Sequence, residues 1–272
     1  MTRAPGALLL LPTLLGESPP GRALPAETLA LARATRRFLA ENARSARAFL
    51  KAIAHPEPIA SLAIVEIGHA PAPARYDEWL QPALAGEDIA LLSEAGCPAV
   101  ADPGAGLVAR AHEVGLRVRP LVGPSSLLLA LMASGTSGQR FRFVGYLPQE
   151  RDALAAAIAA LECDSGGEET QLFIETPYRN ERLLAALLQH ARADTRLAVA
   201  VDLTTEAERI VSLPVAAWRA LPPASRPALD RRPAVFALLS AMAPRGGAMP
   251  QRPPAVRGAE RSRRQRRDGG GR

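Results

Sequence analysis

Residues 93–104 read SEAGCPAVADPG. A short apolar run, Ile89–Leu92, ends abruptly in this stretch, which carries two glycines, two prolines, Glu94 and Asp102. Gly96 and Gly104 lack a Cβ and let backbone come close to a ligand. The two carboxylates stand at the edge of the same loop. A buried strand that runs into a turn-rich loop and then a helix is the pattern of a ligand loop at the carboxyl edge of an open α/β sheet.

Other polar side chains fall at spacings that chemistry uses. Glu41 and Arg44 lie three residues apart, one turn if the segment is helical. They read either as an acid/base and an anchor for an acceptor, or as a structural ion pair at a strand–helix junction. Glu175 and Arg179 flank Thr176, Pro177 and Tyr178. They are expected to brace that loop, with binding of a phosphate or carboxylate by Arg179 as the alternative. Asp102, just before Pro103 and Gly104, is expected to cap the helix that follows. His55, His69, His112 and His190 are scattered without metal-ligand spacing, so no metal is expected, and His69 is read as a solvated loop residue.

The elements that must position these groups alternate. Strands are expected at 7–11, 63–67, 89–92 and 118–122, and helices at 27–39, 45–53, 74–84, 107–114 and 125–134. The segment 13–25 is a loop, and the serines that open 125–134 are N-cap residues. This order predicts a mostly parallel sheet covered by helices. From Phe141 the texture changes. Strands at 141–145, 171–175, 197–203, 208–213 and 234–239 have fewer helices between them, at 151–162, 180–191 and 215–221. The stretch 164–169 reads as a polar hairpin-like loop. The fold class is therefore α/β in two parts: an N-terminal domain at 1–122, a C-terminal domain at 123–243 with a mixed sheet, and a tail at 244–272. The helix at 125–134 fits either half.

Composition narrows the function classes. The chain has 272 residues, 48% of them hydrophobic, enough for a substantial core. The formal net charge is +6, but the tail holds nine arginines against Glu260 and Asp268. The rest of the chain stands at −1, with 24 basic and 25 acidic side chains. The high isoelectric point therefore belongs to the tail, which has almost no large apolar groups and is expected to be disordered. That tail either holds RNA through phosphate contacts or has no partner. Cys97 and Cys163 are far apart and lack metal or disulfide spacing, which suits a reducing cytoplasm. The apolar run 7–15 is too short to span a membrane, Pro12 interrupts it, and it reads as a strand.

Five segments together carry a resemblance: LPTLLGES at 11–18, ENARSARAFL at 41–50, the 93–104 loop, LVGPSSLLLALMASG at 121–135 and FIETPYRN at 173–180. In order and spacing they resemble the tetrapyrrole methylase superfamily, which uses S-adenosylmethionine. Within it, the chain is most similar to the branch of rRNA small-subunit cytidine-2′-O-methyltransferases. The resemblance implies two α/β domains with S-adenosylmethionine in the cleft between them, usually in a cytoplasmic homodimer. It implies that Gly96, Cys97 and Val100 line the methionine end and that Ser93 and Glu94 are further cofactor-binding residues. Cys97 is then a small side chain beside the ligand. Ser125 and Ser126 would lie at the amino-acid moiety or ribose, and Thr176, Pro233 and Ala234 at the adenine. Pro12 and Gly16 match the loop after the first strand, and Glu41 and Arg44 the acceptor side. Departures from the branch cluster on that side. Glu41-Asn42-Ala43-Arg44 stands where the branch has Glu-Asp-Thr-Arg, and Glu94 and Cys97 stand where it has Asp and Thr. Thr13-Leu14-Leu15-Gly16-Glu17 replaces Thr-Pro-Ile-Gly-Asn. The implied function is methylation of a ribose 2′-hydroxyl in rRNA or another RNA. The alternatives are a small-molecule, tetrapyrrole-like acceptor or a S-adenosylmethionine-binding protein without catalysis.

Overall fold

Two all-apolar tetrapeptides, Ala-Leu-Leu-Leu and Ile-Ala-Leu-Leu, form adjacent parallel strands, β1 (Ala7–Leu10) and β4 (Ile89–Leu92). Runs without polar alternation suit strands covered on both faces. Alternate residues of β4 accordingly enter two different cores: Ile89 and Leu91 on one side, Ala90 and Leu92 on the other. The computed structural model describes residues 4–241, so the expectation for the tail lies outside the described residues.

The first half of the chain runs β1, α1 (Pro20–Ala23), α2 (Ala26–Ala34), β2 (Arg37–Ala40), α3 (Ala43–Ala52), β3 (Ala63–Glu66), α4 (Tyr76–Leu84), β4, α5 (Ala105–Glu113) and β5 (Arg117–Pro120). Its strands form a parallel sheet in the order β3-β2-β4-β1-β5. All five carboxyl ends therefore leave one edge.

One expected helix splits. The segment 27–39 is α2 followed by β2. Thr35 ends the helix, its Oγ donating to the Leu31 carbonyl at 2.9 Å. Phe38 and Leu39 then point to opposite faces of the sheet, into separate cores, as a doubly covered strand requires. The loop expected at 13–25 also holds the short α1.

The second half runs α6 (Ser126–Ser134), β6 (Phe141–Tyr146), α7 (Arg151–Ser165), β7 (Thr170–Ile174), α8 (Asn180–His190), β8 (Arg196–Val201), β9 (Arg209–Pro214), α9 (Val215–Ala220) and β10 (Ala234–Leu239). The sheet order is β6-β7-β10-β8-β9, and only β6 and β7 pair in parallel. This is the mixed sheet expected from the change of texture. The expected hairpin at 164–169 is instead the last turn of α7 and a reversal, with Gly166 left-handed at φ 54°.

The two faces of this sheet differ. Leu197, Val199 and Phe236 pack with α7 and α8 residues on one face, where the Phe173 and Phe236 rings stack at 5.6 Å. The other face presents Ala198, Ala200 and Ala237, and α6 packs there through Leu127, Ala130 and Leu131. Small residues let that helix come close to the strands. The helix at 125–134 thus packs on the second sheet. Among the described residues no helix is long and apolar enough to cross a membrane.

Asn42 links β2 to α3. Its side chain accepts from the Arg44 and Ser45 N–H groups at 2.8 and 3.2 Å, capping the helix directly after Glu41. Asparagine and aspartate do this equally well, which explains in structural terms why Asn can stand at 42. Asn42→Ala is expected to cost about 1 kcal/mol in urea unfolding, and Asn42→Asp close to nothing. Equal losses from both would show that the cap is not the stabilising element.

Candidate functional site

A cavity of ≈ 770 Å³ opens where the carboxyl edge of the first sheet faces the alanine-rich side of the second. Each wall follows from the topology. The loop after β4 contributes Glu94, Gly96, Cys97, Val100 and Asp102, the end of β2 contributes Glu41, and the loop after β3 contributes His69. Ser125 and Ser126 enter at the start of α6, and Glu175, Ala200, Pro233 and Ala234 come from the second sheet. The structure therefore gathers Glu41, Glu94, Gly96, Cys97, Val100, Ser125, Ser126, Pro233 and Ala234 from the expected site.

The remaining expected residues have other positions. Ser93 is buried behind the loop, its Oγ donating to the Gly96 carbonyl at 3.2 Å, and the Thr13 N–H donates to the same carbonyl at 2.9 Å. Pro12 packs against Gly123, where a Cβ would lie 2.4 Å from the proline Cβ. Gly16 meets Thr205 of the loop after β8, 2.6 Å from where a Cβ would stand. These residues hold the loops rather than line the cavity. Thr176 also stays outside the lining, its N–H donating to the Glu175 carboxylate at 2.6 Å. Arg44 is exposed and does not pair with Glu41, because Glu41 ends a strand and Arg44 lies in the first turn of a helix.

Glu41 is instead the anchor of a cluster. It is only 7% exposed, and it accepts from His69 Nδ1 at 2.7 Å and from the Glu94 N–H at 3.2 Å. One buried carboxylate thus ties the exits of β2, β3 and β4 together. His69 was expected to be a solvated loop residue. Its ring does reach solvent, but one nitrogen is fixed. No local signal in the sequence pairs residues 28 positions apart.

Asp102 does not cap α5. The N-cap position is Gly104, with no side-chain cap bond, and Asp102 faces the cavity. Burial and then the Glu41 carboxylate push its carboxyl up to about 6. Glu94 adds to this, while hydrogen bonding to Ser93 and the nearness of His69 oppose it. Burial also pushes the Cys97 thiol up, and its Sγ lies 3.4 Å from the Pro124 carbonyl, so the residue is a small inert wall. Ser125 occupies the N-cap of α6 without a side-chain cap bond, its hydroxyl left toward the cavity.

The loop is held in an uncommon backbone conformation. Gly96 has φ +76°, and a Cβ there would meet Leu15 Cδ2 at 3.1 Å and the Pro124 carbonyl at 3.4 Å. The glycine is therefore required by φ and by packing against the chain itself, not first by a ligand. Ala99 and Ala101 are also left-handed, at φ 64° and 63°. Across the cavity, Glu175 accepts from Arg179 at 2.6 Å as well as from Thr176. Burial pushes its carboxyl up, but these hydrogen bonds together outweigh it and leave it low. The pair braces its loop, as expected. Tyr146 joins the lining through an irregularity in the β6–β7 register at Gly145, φ +74°. The expected strand stopped short of it, although a glycine inside a strand is a signal for such a bulge. Among the described residues no three His, Cys, Asp or Glu side chains converge as a metal-ligand set.

Residues 24–217 match the family model described as Tetrapyrrole (Corrin/Porphyrin) Methylases. The chain belongs to this family. The tetrapyrrole methylase fold is seen in the methyltransferase CobJ, at TM-score 0.57 and 18% identity over 89% of this chain and 97% of that one. It is seen also in the Thermus thermophilus uroporphyrin-III C-methyltransferase complexed with S-adenosylhomocysteine, at TM-score 0.50 and 20% identity over 86% and 97%. Curated relatives include the protein called ribosomal RNA small subunit methyltransferase I in Pseudomonas aeruginosa, 37% identical over 131 residues, or 48% of this chain and 45% of that protein. The protein of that name in Micromonospora olivasterospora is 40% identical over 126 residues, 46% and 39%. The chain thus matches less than half the length of these two relatives.

The raised Asp102 carboxyl has a consequence for stability. Its pKa is about 6 in the fold against an ordinary 3.8, so the folded state resists its ionisation. The wild-type protein loses this contribution as pH rises from about 4 through 6. Asp102→Asn is therefore expected to be more stable than wild type by about 1–2 kcal/mol at pH 7.5, the figure reduced for a half-exposed group. Below about pH 4 the difference closes. Thermal unfolding of both proteins across pH 3.5–8 checks this, and a difference independent of pH would contradict it.

Proposed function

We propose that this tetrapyrrole methylase binds S-adenosylmethionine in the cavity and transfers its methyl group to a ribose hydroxyl of RNA. The observation that carries the first half is the charge of the lining. Glu41, Glu94, Asp102 and Glu175 line the cavity, and no lysine or arginine among the described residues does. That lining favours a cationic ligand and disfavours a polyphosphate. S-adenosylmethionine fits, since it carries a sulfonium and an ammonium group. Gly96, Cys97 and Val100 would hold its methionine end, Ser125 and Ser126 its polar middle, and Ala200, Pro233 and Ala234 its adenine. When bound, it supplies a methyl carbon made electrophilic by the adjoining sulfonium. The protein's part is then alignment and exclusion of water.

RNA as the acceptor is supported by the names of the curated relatives and by the surface beside Glu41. Arg44 and Arg47 are exposed on the first turns of α3, and neither is in a salt bridge among the described residues. Following Glu41 in the chain, they would be the phosphate contacts of this reading. The reading also carries a homodimer, for which Leu128 and Met132, exposed one turn apart on α6, offer an apolar surface.

Calorimetry is expected to show S-adenosylmethionine and S-adenosylhomocysteine binding to the wild-type protein, and no ATP binding. Gly96→Val, which cannot hold φ +76° at ordinary cost, is expected to lose at least tenfold in affinity. No binding to the wild type would overturn the cavity assignment. Transfer of labelled methyl to small-subunit rRNA, with 2′-O-methyl nucleosides in the digest, tests the acceptor. Arg44→Ala is expected to flatten the log–log salt dependence of RNA affinity by about one unit. Bound S-adenosylmethionine with no RNA affinity at low salt would leave a small-molecule acceptor or no catalysis.

Light scattering after size exclusion is expected to give twice the 28.8 kDa chain mass for the wild type. Leu128→Glu with Met132→Glu should give the single mass. A monomeric wild type would overturn the dimer.

A further inference from the structure

We propose that His69 is the general base that takes the proton from the acceptor hydroxyl, and that Glu41 is the residue that positions it. This rests on the reading of the cavity as a methyl-transfer site with a hydroxyl acceptor.

The geometry carries the assignment. A ribose hydroxyl is a poor nucleophile near neutral pH, so a positioned base lowers the barrier to its attack. Among the described residues that line the cavity, His69 is the only imidazole. Its Nδ1 lies 2.7 Å from Glu41 Oε1. A carboxylate only accepts, so Nδ1 is the donor of this bond, and in the neutral ring Nε2 keeps its lone pair. Glu41 cannot drift, because it is 7% exposed and its second oxygen accepts from the Glu94 N–H. The imidazole itself is 76% exposed on its side chain, so Nε2 is open to an incoming group. A buried carboxylate that fixes one ring nitrogen while the other faces an acceptor is the arrangement that sets tautomer and direction in acid–base catalysis.

The bonds balance. The acceptor oxygen forms a bond to the methyl carbon as the carbon–sulfur bond breaks, and the electron pair stays on sulfur as the neutral thioether. The hydroxyl proton passes to His69 Nε2. One positive charge on the ligand's sulfur is thereby replaced by one on an imidazolium beside Glu41. Glu94 and Asp102, which share the loop facing His69, see no net change in the cavity's charge.

Five groups in the cavity could imitate this base in a pH profile: Asp102, Glu94 and Cys97 on the loop after β4, and Tyr146 and Glu175 on the opposite wall. Asp102 is the strongest competitor, since burial and then the Glu41 carboxylate push its carboxyl up to about 6.

The test has two readouts. The first needs no turnover. Protein labelled with ¹⁵N-histidine, saturated with S-adenosylhomocysteine, is examined by two-bond ¹⁵N–¹H NMR at pH 8, with His69→Gln assigning the signal. The expected pattern is Nδ1–H with a bare Nε2, and Glu41→Gln should shift it toward a tautomer mixture. An Nε2–H pattern in the wild type would overturn the proposal. The second readout is methyl transfer to small-subunit rRNA. His69→Gln is expected to lower kcat by about 10²-fold or more, while S-adenosylmethionine affinity by calorimetry stays within about twofold. The rise of rate with pH should vanish in His69→Gln and persist in Asp102→Asn, and imidazole should partly restore His69→Ala. If His69→Gln turns over at the wild-type rate, or if the pH limb vanishes only in Asp102→Asn, His69 is not the base. Loss of S-adenosylmethionine binding in the wild type would instead strike the underlying reading and leave the tautomer result standing on its own.

Discussion

A single buried carboxylate organises the working end of this molecule. Glu41 stands where β2 stops, and its two oxygens reach His69 beyond β3 and the Glu94 amide beyond β4. Burying a charge is costly unless it is hydrogen-bonded, so each of these partners is needed by the carboxylate as much as it is held by it. Three strand exits are thereby fixed at one point. The raised Asp102 carboxyl follows first from burial and then from the same charge, since Glu41 is its strongest electrostatic neighbour. So does the sign of the cavity, which suits a cation.

The opposite wall depends on size instead of charge. Ala198, Ala200 and Ala237 leave room for α6 to lie close on the second sheet. That places Ser125 and Ser126, at the start of the helix, opposite the loop after β4. Gly16 against Thr205 and Gly123 against Pro12 allow the loops to approach without side chains between them. The cavity is thus framed by a polar edge from a parallel sheet and an apolar face from a mixed one. The methyltransferase CobJ and the Thermus thermophilus uroporphyrin-III C-methyltransferase share this fold.

Much of the fold could be read from the chain because its signals are local. Unbroken apolar runs marked β1 and β4, and the glycine- and proline-rich stretch at 93–104 marked the loop that lines the cavity. β2 escaped because Phe38 and Leu39 continue the helical spacing of Leu31 and Ala34, and no glycine or proline marks the break. Helical spacing alone would make Glu41 and Arg44 neighbours on one face. A strand end and a helix start separate them. The Glu41–His69 pair could not be read at all, since sheet pairing brings those residues together across 28 positions. Asp102 had the local look of a cap, and only the path of the loop shows that Gly104 takes that position. Pro12, Gly16 and Ser93, expected at the ligand, hold the loops from behind the cavity wall.

Ala99 and Ala101 sit in the left-handed region that glycine occupies at 96 and 104. An alanine there pays in steric energy of order 1 kcal/mol, but it also has fewer alternative conformations to explore than a glycine would. The loop's freedom is therefore surrendered when the chain folds. A molecule entering the cavity meets a surface that is already ordered, and little of its binding enthalpy is spent on stilling the protein.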